Sequence, residues 1–128
     1  MVNKVILNEQ HQLLINQDEI LTEKYGEGNW EILPVPASGW TLAEMEVLAE
    51  QLIEESTCYE DIIIFASPVP ALMALIAEGV SKISSEHGEA GSTWWVPFRV
   101  LHNDRREKKE LPGGKIIMTV AQEGWVIV

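Results

Sequence analysis

The chain has 128 residues, of which 46% are hydrophobic and 23% charged, values typical of one globular domain with a sizeable core. A single cysteine, Cys58, excludes an internal disulfide framework and a cysteine-rich metal site. The net charge is −11, although the segment 99–115 has six basic residues against three acidic ones. The strongly acidic remainder repels long DNA or RNA, whereas a small anion held by local donors in one pocket is compatible with it.

Metals, cofactors and export are not expected from the sequence. The three histidines, His11, His87 and His102, stand far apart and show none of the short spacings that metal sites use. No secretory leader precedes the first strand, which together with the lone cysteine favours the cytoplasm.

The first elements in the chain are a strand and a helix. Residues 4–7 (KVIL) predict the strand. In the helix that follows, Asn16 and Glu19 have the spacing of a capping box, and Gly26 and Gly28 predict its end.

A second strand and the clearest helix come next. Residues 30–35 (WEILPV) predict the strand, and Thr41 and Glu44 form a capping box at the start of the helix. Apolar residues then recur at helical spacing up to Ile53. The other face carries glutamates that predict a solvated surface or, alternatively, a surface for a basic partner, namely Glu44, Glu46, Glu50, Glu54 and Glu55.

The most apolar stretch predicts a central strand, a turn and a third helix. Residues 61–65 are continuously apolar after the first, as in strands covered on both faces. A membrane span is not expected, because the sixteen residues of 62–77 fall short of the roughly twenty needed and two prolines interrupt them. Ser67 would cap the helix with Pro68 at its first position. Since the helix is apolar on most sides, we expect it to contact a second subunit.

The last part of the chain predicts extended structure. Residues 93–101 (TWWVPFRVL) predict a fourth strand, residues 106–120 a hairpin turning at Pro112-Gly113-Gly114, and residues 124–128 (GWVIV) a terminal strand. The predicted fold is therefore α/β, a small three-layer Rossmann-like domain spanning residues 1–128. Its mainly parallel sheet is formed by the βαβαβαβ part, 1–101, and the antiparallel extension by the C-terminal hairpin and last strand, 102–128.

Ligands of such folds bind at the carboxyl ends of the parallel strands. The segments that follow those ends here are 8–12 (NEQHQ), 36–40 (PASGW), 66–70 (ASPVP) and 102–106 (HNDRR). Neither a glycine-rich dinucleotide motif nor a P-loop is present. Phosphate recognition would therefore depend on side chains and helix N-termini.

Three of these segments offer candidate groups, each with a second interpretation. His11 is either a phosphate donor or acid/base, or a solvated loop residue. Ser67 either receives an anion together with the amides of its turn or only starts a helix. The group formed by His102, Arg105 and Arg106 suits phosphate, but a charged hairpin edge has the same composition.

Several of these segments also form a pattern. A His-containing polar loop leads into a Gln-bearing helix start (LNEQHQLLINQDEIL), and the second strand ends in proline before a helix (ILPVPASGWTLAEM). Farther along, an apolar strand is followed by a Pro-containing turn (IIIFASPVP) and then by an Ala/Leu-rich helix (ALMALIAEG). Over about residues 4–101 this layout resembles the small stand-alone CRISPR-associated Rossmann-fold (CARF) proteins of antiviral defence, which include ring nucleases that bind and cut cyclic oligoadenylates. The Pro-Gly turn of some members is replaced here by residues 67–70, and the basic hairpin has no counterpart.

The resemblance implies a homodimer with the cyclic ligand lying across its two-fold axis. It implies metal-independent, cofactor-free chemistry in which a ribose 2′-hydroxyl attacks the adjacent phosphodiester and leaves a 2′,3′-cyclic phosphate. By position, His11 and Ser67 would be catalytic. The implied ligand-binding residues are Asn8, Ser38, Trp40, Pro68, His102 and Arg105.

Two other functions fit the same residues. In one, the chain is a non-catalytic interaction module that dimerises through the apolar third helix and a surface rich in its five tryptophans. In the other, it hydrolyses a different small phosphate ester. Cleavage of a cyclic oligoadenylate is therefore an expectation of the resemblance alone.

Overall fold

The computed structural model of the protein describes residues 3–55, 63–86, 98–103 and 105–128, and its fold is α/β. Five strands form one sheet in the order β2-β1-β3-β4-β7; β1 to β4 are parallel and β7 runs antiparallel beside β4. The small Rossmann-like fold predicted from the sequence is thus confirmed. The elements are β1 (Asn3–Asn8), α1 (Ile15–Tyr25), β2 (Trp30–Val35), α2 (Leu42–Glu54), β3 (Ile63–Phe65), α3 (Pro70–Glu86), β4 (Arg99–His102), β5 (Arg106–Glu110), β6 (Ile116–Val120) and β7 (Val126–Ile127).

The helices cover the two faces of this sheet. On one face, Leu21 of α1 packs against Val5 and Ile64 of the sheet. On the other face, α2 and α3 pack together over Ile6 and Phe65. All three residues of β3 are buried, which confirms the predicted central strand over residues 63–65, while residues 61 and 62 lie outside the described residues. The continuous apolar run of β3 is needed because both of its faces lie under helices.

The start of α1 differs from the prediction. The helix begins after Leu14, and Gln17 folds back so that its Oε1 accepts the Leu14 N–H at 2.9 Å. Asn16 lies within the first turn, where its Oδ1 accepts the backbone N–H of Trp125 at 3.0 Å. The predicted Asn16/Glu19 capping box is wrong, because a distant backbone group takes the side chain that would have formed the cap. The end of α1 at Gly26 is confirmed, with φ at 94° where a glycine is favoured.

The start of α2 confirms the local prediction. Thr41 Oγ1 accepts the Glu44 N–H at 3.1 Å, and Glu44 Oε1 accepts the Thr41 N–H at 2.9 Å. These bonds hold the pKa of the Glu44 carboxyl below its usual value, because hydrogen bonds from Thr41 stabilise the carboxylate. The glutamates of α2 are exposed, as expected for a charged outer face.

The start of α3 is displaced from the predicted position. Pro70 occupies the first helical position and the Met73 N–H bonds to the Val69 carbonyl, so Ser67 does not cap the helix and Pro68 does not begin it. Farther along, a Cβ on Gly79 would lie 2.4 Å from Ile53 Cδ1. The absence of a side chain at residue 79 therefore lets α2 and α3 approach closely. One flank of α3 is thus covered by α2, and its contact with a second subunit stays a prediction.

The C-terminal extension forms as predicted. The hairpin of β5 and β6 turns at residues 112–114, where the Leu111 N–H bonds to the Lys115 carbonyl at 2.7 Å. The terminal strand β7 then returns to the sheet beside β4. Residues 93–97 of the predicted fourth strand lie outside the described residues, and β4 is described from Arg99. Within the described ranges, no helix combines the length and apolarity needed to cross a membrane.

Candidate functional site

An open cleft of about 640 Å³ lies at the carboxyl ends of β1 and β3. Three parts of the chain line it. The β1–α1 connection supplies His11 and the first turn of α1, the segment after β3 supplies Ser67 and Pro68, and the C-terminal extension supplies Val120 and Trp125. The cleft is therefore at the edge of the sheet where this class of fold binds its ligands.

Ser67 is held at the junction of β1 and β3. The N–H groups of Ala66 and Ser67 both bond to the Ile6 carbonyl at 2.9 Å, so the chain turns tightly as it leaves β3. The Ser67 Oγ accepts the backbone N–H of Asn8 at 3.0 Å. Because that bond uses an oxygen lone pair, the hydroxyl proton can still donate to a ligand in the cleft.

Asn8 shapes the loop that carries His11. Its Oδ1 accepts the Gln10 N–H at 2.9 Å, and its carbonyl accepts the His11 N–H at 2.9 Å. His11 is exposed at the cleft, whereas the residues that line the cleft do not include Asn8. Within the described ranges, no hydrogen bond joins the His11 imidazole to Ser67. The loop thus brings the two predicted catalytic residues to one cleft without pairing them.

Gln17 is the most buried polar side chain of the cleft, with 6% of its surface exposed. Its Oε1 is used by the Leu14 N–H, and its Nε2 makes no hydrogen bond to any described residue. Leu14, at the N-cap position, has an aliphatic side chain that accepts nothing, so the first N–H groups of α1 have no side-chain cap. The cleft is therefore bordered by an amide donor and by the positive end of a helix.

Trp125 forms the apolar wall of the cleft. Its indole packs against the core that contains Val5, Leu21 and Ile64, and its Nε1 donates to the Ala121 carbonyl at 3.0 Å. The ring is therefore fixed in orientation while it remains half-buried. The sequence-based site did not include Trp125 or Gln17. The order of the strands did contain a signal for Trp125. The terminal strand runs antiparallel to β4, so it begins at the edge where the parallel strands end, and Trp125 directly precedes it.

The remaining predicted ligand-binding residues lie elsewhere. Trp40 borders a second groove of about 570 Å³ between β2 and α2, on the opposite face of the sheet from α1. Ser38 is exposed in the loop after β2, and neither it nor Trp40 is among the residues that line the cleft. Of the predicted set, the structure brings together His11, Ser67 and Pro68 in the cleft, with Asn8 behind them.

His102 and Arg105 are likewise outside the cleft lining. His102 is exposed on β4, opposite Val126 of β7, and Arg105 borders a separate depression with Gln122. The buried Asn103 orders this corner, because its Oδ1 accepts the Arg105 N–H at 2.9 Å and its Nδ2 donates to the Glu123 carbonyl at 2.8 Å.

The cleft can hold a small ligand that has both an apolar surface and hydrogen-bond acceptors. Its lining contains no lysine or arginine among the described residues, so an anion there would be held by amide, hydroxyl and imidazole groups. The described residues form no group of three or more side chains arranged to hold a metal ion. Comparisons of the chain with protein-family models, with curated proteins and with solved structures found no match.

Proposed function

We propose that this chain binds a cyclic oligoadenylate in the cleft at the carboxyl ends of β1 and β3. The observation that carries the proposal is the convergence of His11, Ser67 and Gln17 on one cleft from two separate segments of the chain, the one that joins β1 to α1 and the one that follows β3. Each of them can donate a hydrogen bond to a phosphodiester oxygen. A receptor for such a messenger would act in the cytoplasm.

Trp125, which forms the apolar wall of the cleft, would bind the base. Its ring is held by the bond to Ala121 and borders the cleft, so an adenine could stack on it without reorganisation of the protein. Pro68 and Leu14 add apolar surface to the same cleft. Stacking on a fixed aromatic ring supplies affinity while the polar groups orient the phosphate.

Phosphate recognition would fall on Gln17 Nε2, the Ser67 hydroxyl and the uncapped amides of α1. A phosphodiester carries a single negative charge, which suits neutral donors and a helix N-terminus. A cleft of about 640 Å³ suits one or two nucleotides rather than a whole ring. We therefore propose that two copies share the ring, in a homodimer that places two clefts around one ligand.

Cleavage is the second part of the proposal. The ribose 2′-oxygen forms a bond to phosphorus while the bond from phosphorus to the 5′-oxygen breaks, which leaves a 2′,3′-cyclic phosphate and a 5′-hydroxyl. His11 would take the proton of the 2′-hydroxyl, and water would supply the proton that the leaving 5′-oxygen takes up. Ser67 would donate to a non-bridging oxygen as charge develops there. No metal takes part in these steps, so the reaction should proceed in EDTA.

The test is calorimetric titration of the purified chain with cyclic tetra-adenylate in EDTA, followed by chromatography of the products. Gln17→Glu is the sharpest variant, because it keeps the acceptor for the Leu14 N–H while it replaces the donor that faces the cleft with a carboxylate. We expect its affinity to fall at least about tenfold, the cost of a buried like-charge contact. Ser67→Ala should also weaken binding, with the exposed Ser81→Ala as its matched control.

Two results would contradict the proposal. One is the absence of both binding and cleavage by the wild-type chain. The other is wild-type affinity in folded Gln17→Glu and Ser67→Ala variants, which would place the ligand outside this cleft. Binding without any product would support the proposed binding of the cyclic oligoadenylate and contradict its proposed cleavage.

An interaction module is the second candidate function. The observation that favours it is a row of exposed apolar side chains on β6, formed by Ile116, Met118 and Val120. Contiguous exposed apolar side chains are a feature of protein contact surfaces. A chain that binds no cyclic oligoadenylate but associates through a defined surface would favour this candidate.

A further inference from the structure

The hairpin of β5 and β6, called the arm below, is poorly covered by the rest of the chain. Its two strands pack mainly on each other, and every residue of β5 is exposed. On β6 the side chains of Ile116, Met118 and Val120 are 62%, 57% and 45% exposed. A two-stranded hairpin is marginally stable in water when it stands alone, so an apolar row on it indicates a contact surface.

The pairing within the arm places basic side chains beside this row. Val120 is opposite Arg106, Met118 is opposite Lys108, and Ile116 is opposite Glu110. Residues directly opposite in an antiparallel pair project on the same side, so the row shares one face with two cations and one carboxylate. Arg106 donates to the carbonyls of Asn103 and Arg105, whereas Lys108 makes no ion pair or hydrogen bond to a described residue.

The groove between β2 and α2 has the complementary character. It is about 570 Å³ in volume, and Trp40, Leu33 and Val47 line it, with Val47 55% exposed. The exposed Glu44 lines it on the α2 side, Glu46 and Glu50 are exposed on the same helix outside the lining, and α2 contains no basic residue. The groove therefore presents an apolar floor beside an acidic surface.

We infer that the arm of one copy of this chain docks into the β2–α2 groove of a second copy. The lengths agree, because the row from Ile116 to Val120 spans about 14 Å of strand and the groove wall from Ala43 to Gln51 spans about 12 Å of helix. The charges also agree, because Lys108 beside the apolar row would meet the acidic surface of α2, where Glu44 lines the groove and Glu50 is exposed nearby on the helix.

Other occupants fit the arm less well. A nucleic acid would meet the strongly acidic body behind the arm. The outer surface of α1 is a second acidic surface that the arm could contact. It fits the basic arm less well than α2 does, because it also carries Lys24. The contact shares Val120 with the lining of the cleft, but none of the residues changed in the tests below lines that cleft.

The first test is disulfide trapping between two variants in a Cys58→Ser background. One protein carries Met118→Cys on the arm, and the other carries Val47→Cys in the groove. We expect oxidation of their mixture to give a mixed dimer at least about tenfold above the level seen with Ile15→Cys in place of Val47→Cys. Ile15 is the matched control, because it is 80% exposed on α1, away from the groove.

The second test is sedimentation equilibrium at low salt. Lys108→Glu and Glu50→Lys should each raise the dissociation constant of self-association about fivefold, and the chain that carries both changes should recover wild-type association. These residues are exposed and lie outside the core, so the variants should fold. A mixed disulfide no stronger than the control, or a chain that is monomeric at all concentrations, overturns the inference. A monomeric chain whose arm binds nucleic acid or a different protein overturns it equally.

Discussion

The starts of α1 and α2 are the most instructive contrast in this molecule. Each helix follows a parallel strand and begins at the same edge of the sheet. At α2, Thr41 and Glu44 satisfy each other's backbone N–H groups in a closed capping box. At α1, Gln17 accepts the Leu14 N–H, and among the described residues no side chain caps the first turn. The helix that is left open is the one that borders the cleft.

The two helix starts differ in how many backbone N–H groups they leave free for a ligand. A helix start that is complete by itself presents few free donors to a ligand, whereas an uncapped one presents several. At α1 the residue that could have capped the helix, Asn16, instead holds the backbone of Trp125 at 3.0 Å. The bond from the Trp125 N–H to Asn16 therefore leaves the first amides of α1 without a cap and also positions the apolar wall of the cleft.

The largest change to this contrast is expected from Gln17→Leu. Leucine removes the acceptor that the buried Gln17 side chain, alone among the described residues, offers to the half-buried Leu14 N–H, which should lower the free energy of unfolding by about 2 kcal/mol. Urea denaturation followed by circular dichroism measures it. Gln17→Glu is the control, because it retains the acceptor and should lose much less. Equal stability of Gln17→Leu and the wild type would show that this bond does not hold the start of α1.

A smaller loss is expected at the closed helix start. Thr41→Ala removes the hydroxyl that accepts the Glu44 N–H and should cost about 1 kcal/mol. Hydrogen exchange should accelerate at the amide of Glu44. Asn16→Ala makes the comparison with α1, because exchange should accelerate at Trp125 rather than in the first turn of α1. Faster exchange in that first turn would instead show that Asn16 acts as a cap.

The smallest effect is a pH dependence at Glu44. The pKa of its carboxyl is lowered in the folded state by hydrogen bonds from Thr41, so its contribution to stability is complete above the unfolded pKa. That contribution is lost as the pH falls through the lowered folded pKa. Glu44→Gln removes the titration but keeps an acceptor. Between neutral and acidic pH, the urea midpoint of the wild type should fall slightly more than that of Glu44→Gln. Parallel pH profiles would contradict this expectation.

Local rules predicted the elements that depend on neighbouring residues. The capping box of α2, the glycine end of α1, the hairpin turn at 112–114 and the continuously apolar β3 all formed as expected. The predictions failed where a residue had a distant partner. Asn16 is taken by Trp125, and Ser67 accepts the Asn8 N–H instead of capping α3. In both cases sequence spacing is uninformative, because the competing group lies 109 or 59 residues away.

The candidate site was also predictable only as far as it depends on local order in the chain. The order of strands and helices predicted a site at the carboxyl ends of β1 and β3, and the cleft that His11 and Ser67 line is found there. The sequence alone therefore determined the α/β fold and the segments that border its carboxyl edge, because periodicity, caps and turns are local properties. Only the tertiary structure decided that Gln17 and Trp125 complete the cleft while Trp40, His102 and Arg105 lie outside its lining. The physical reason is that packing across the sheet and the return of β7 determine which loops meet, and neither leaves a signal in the spacing of neighbouring residues.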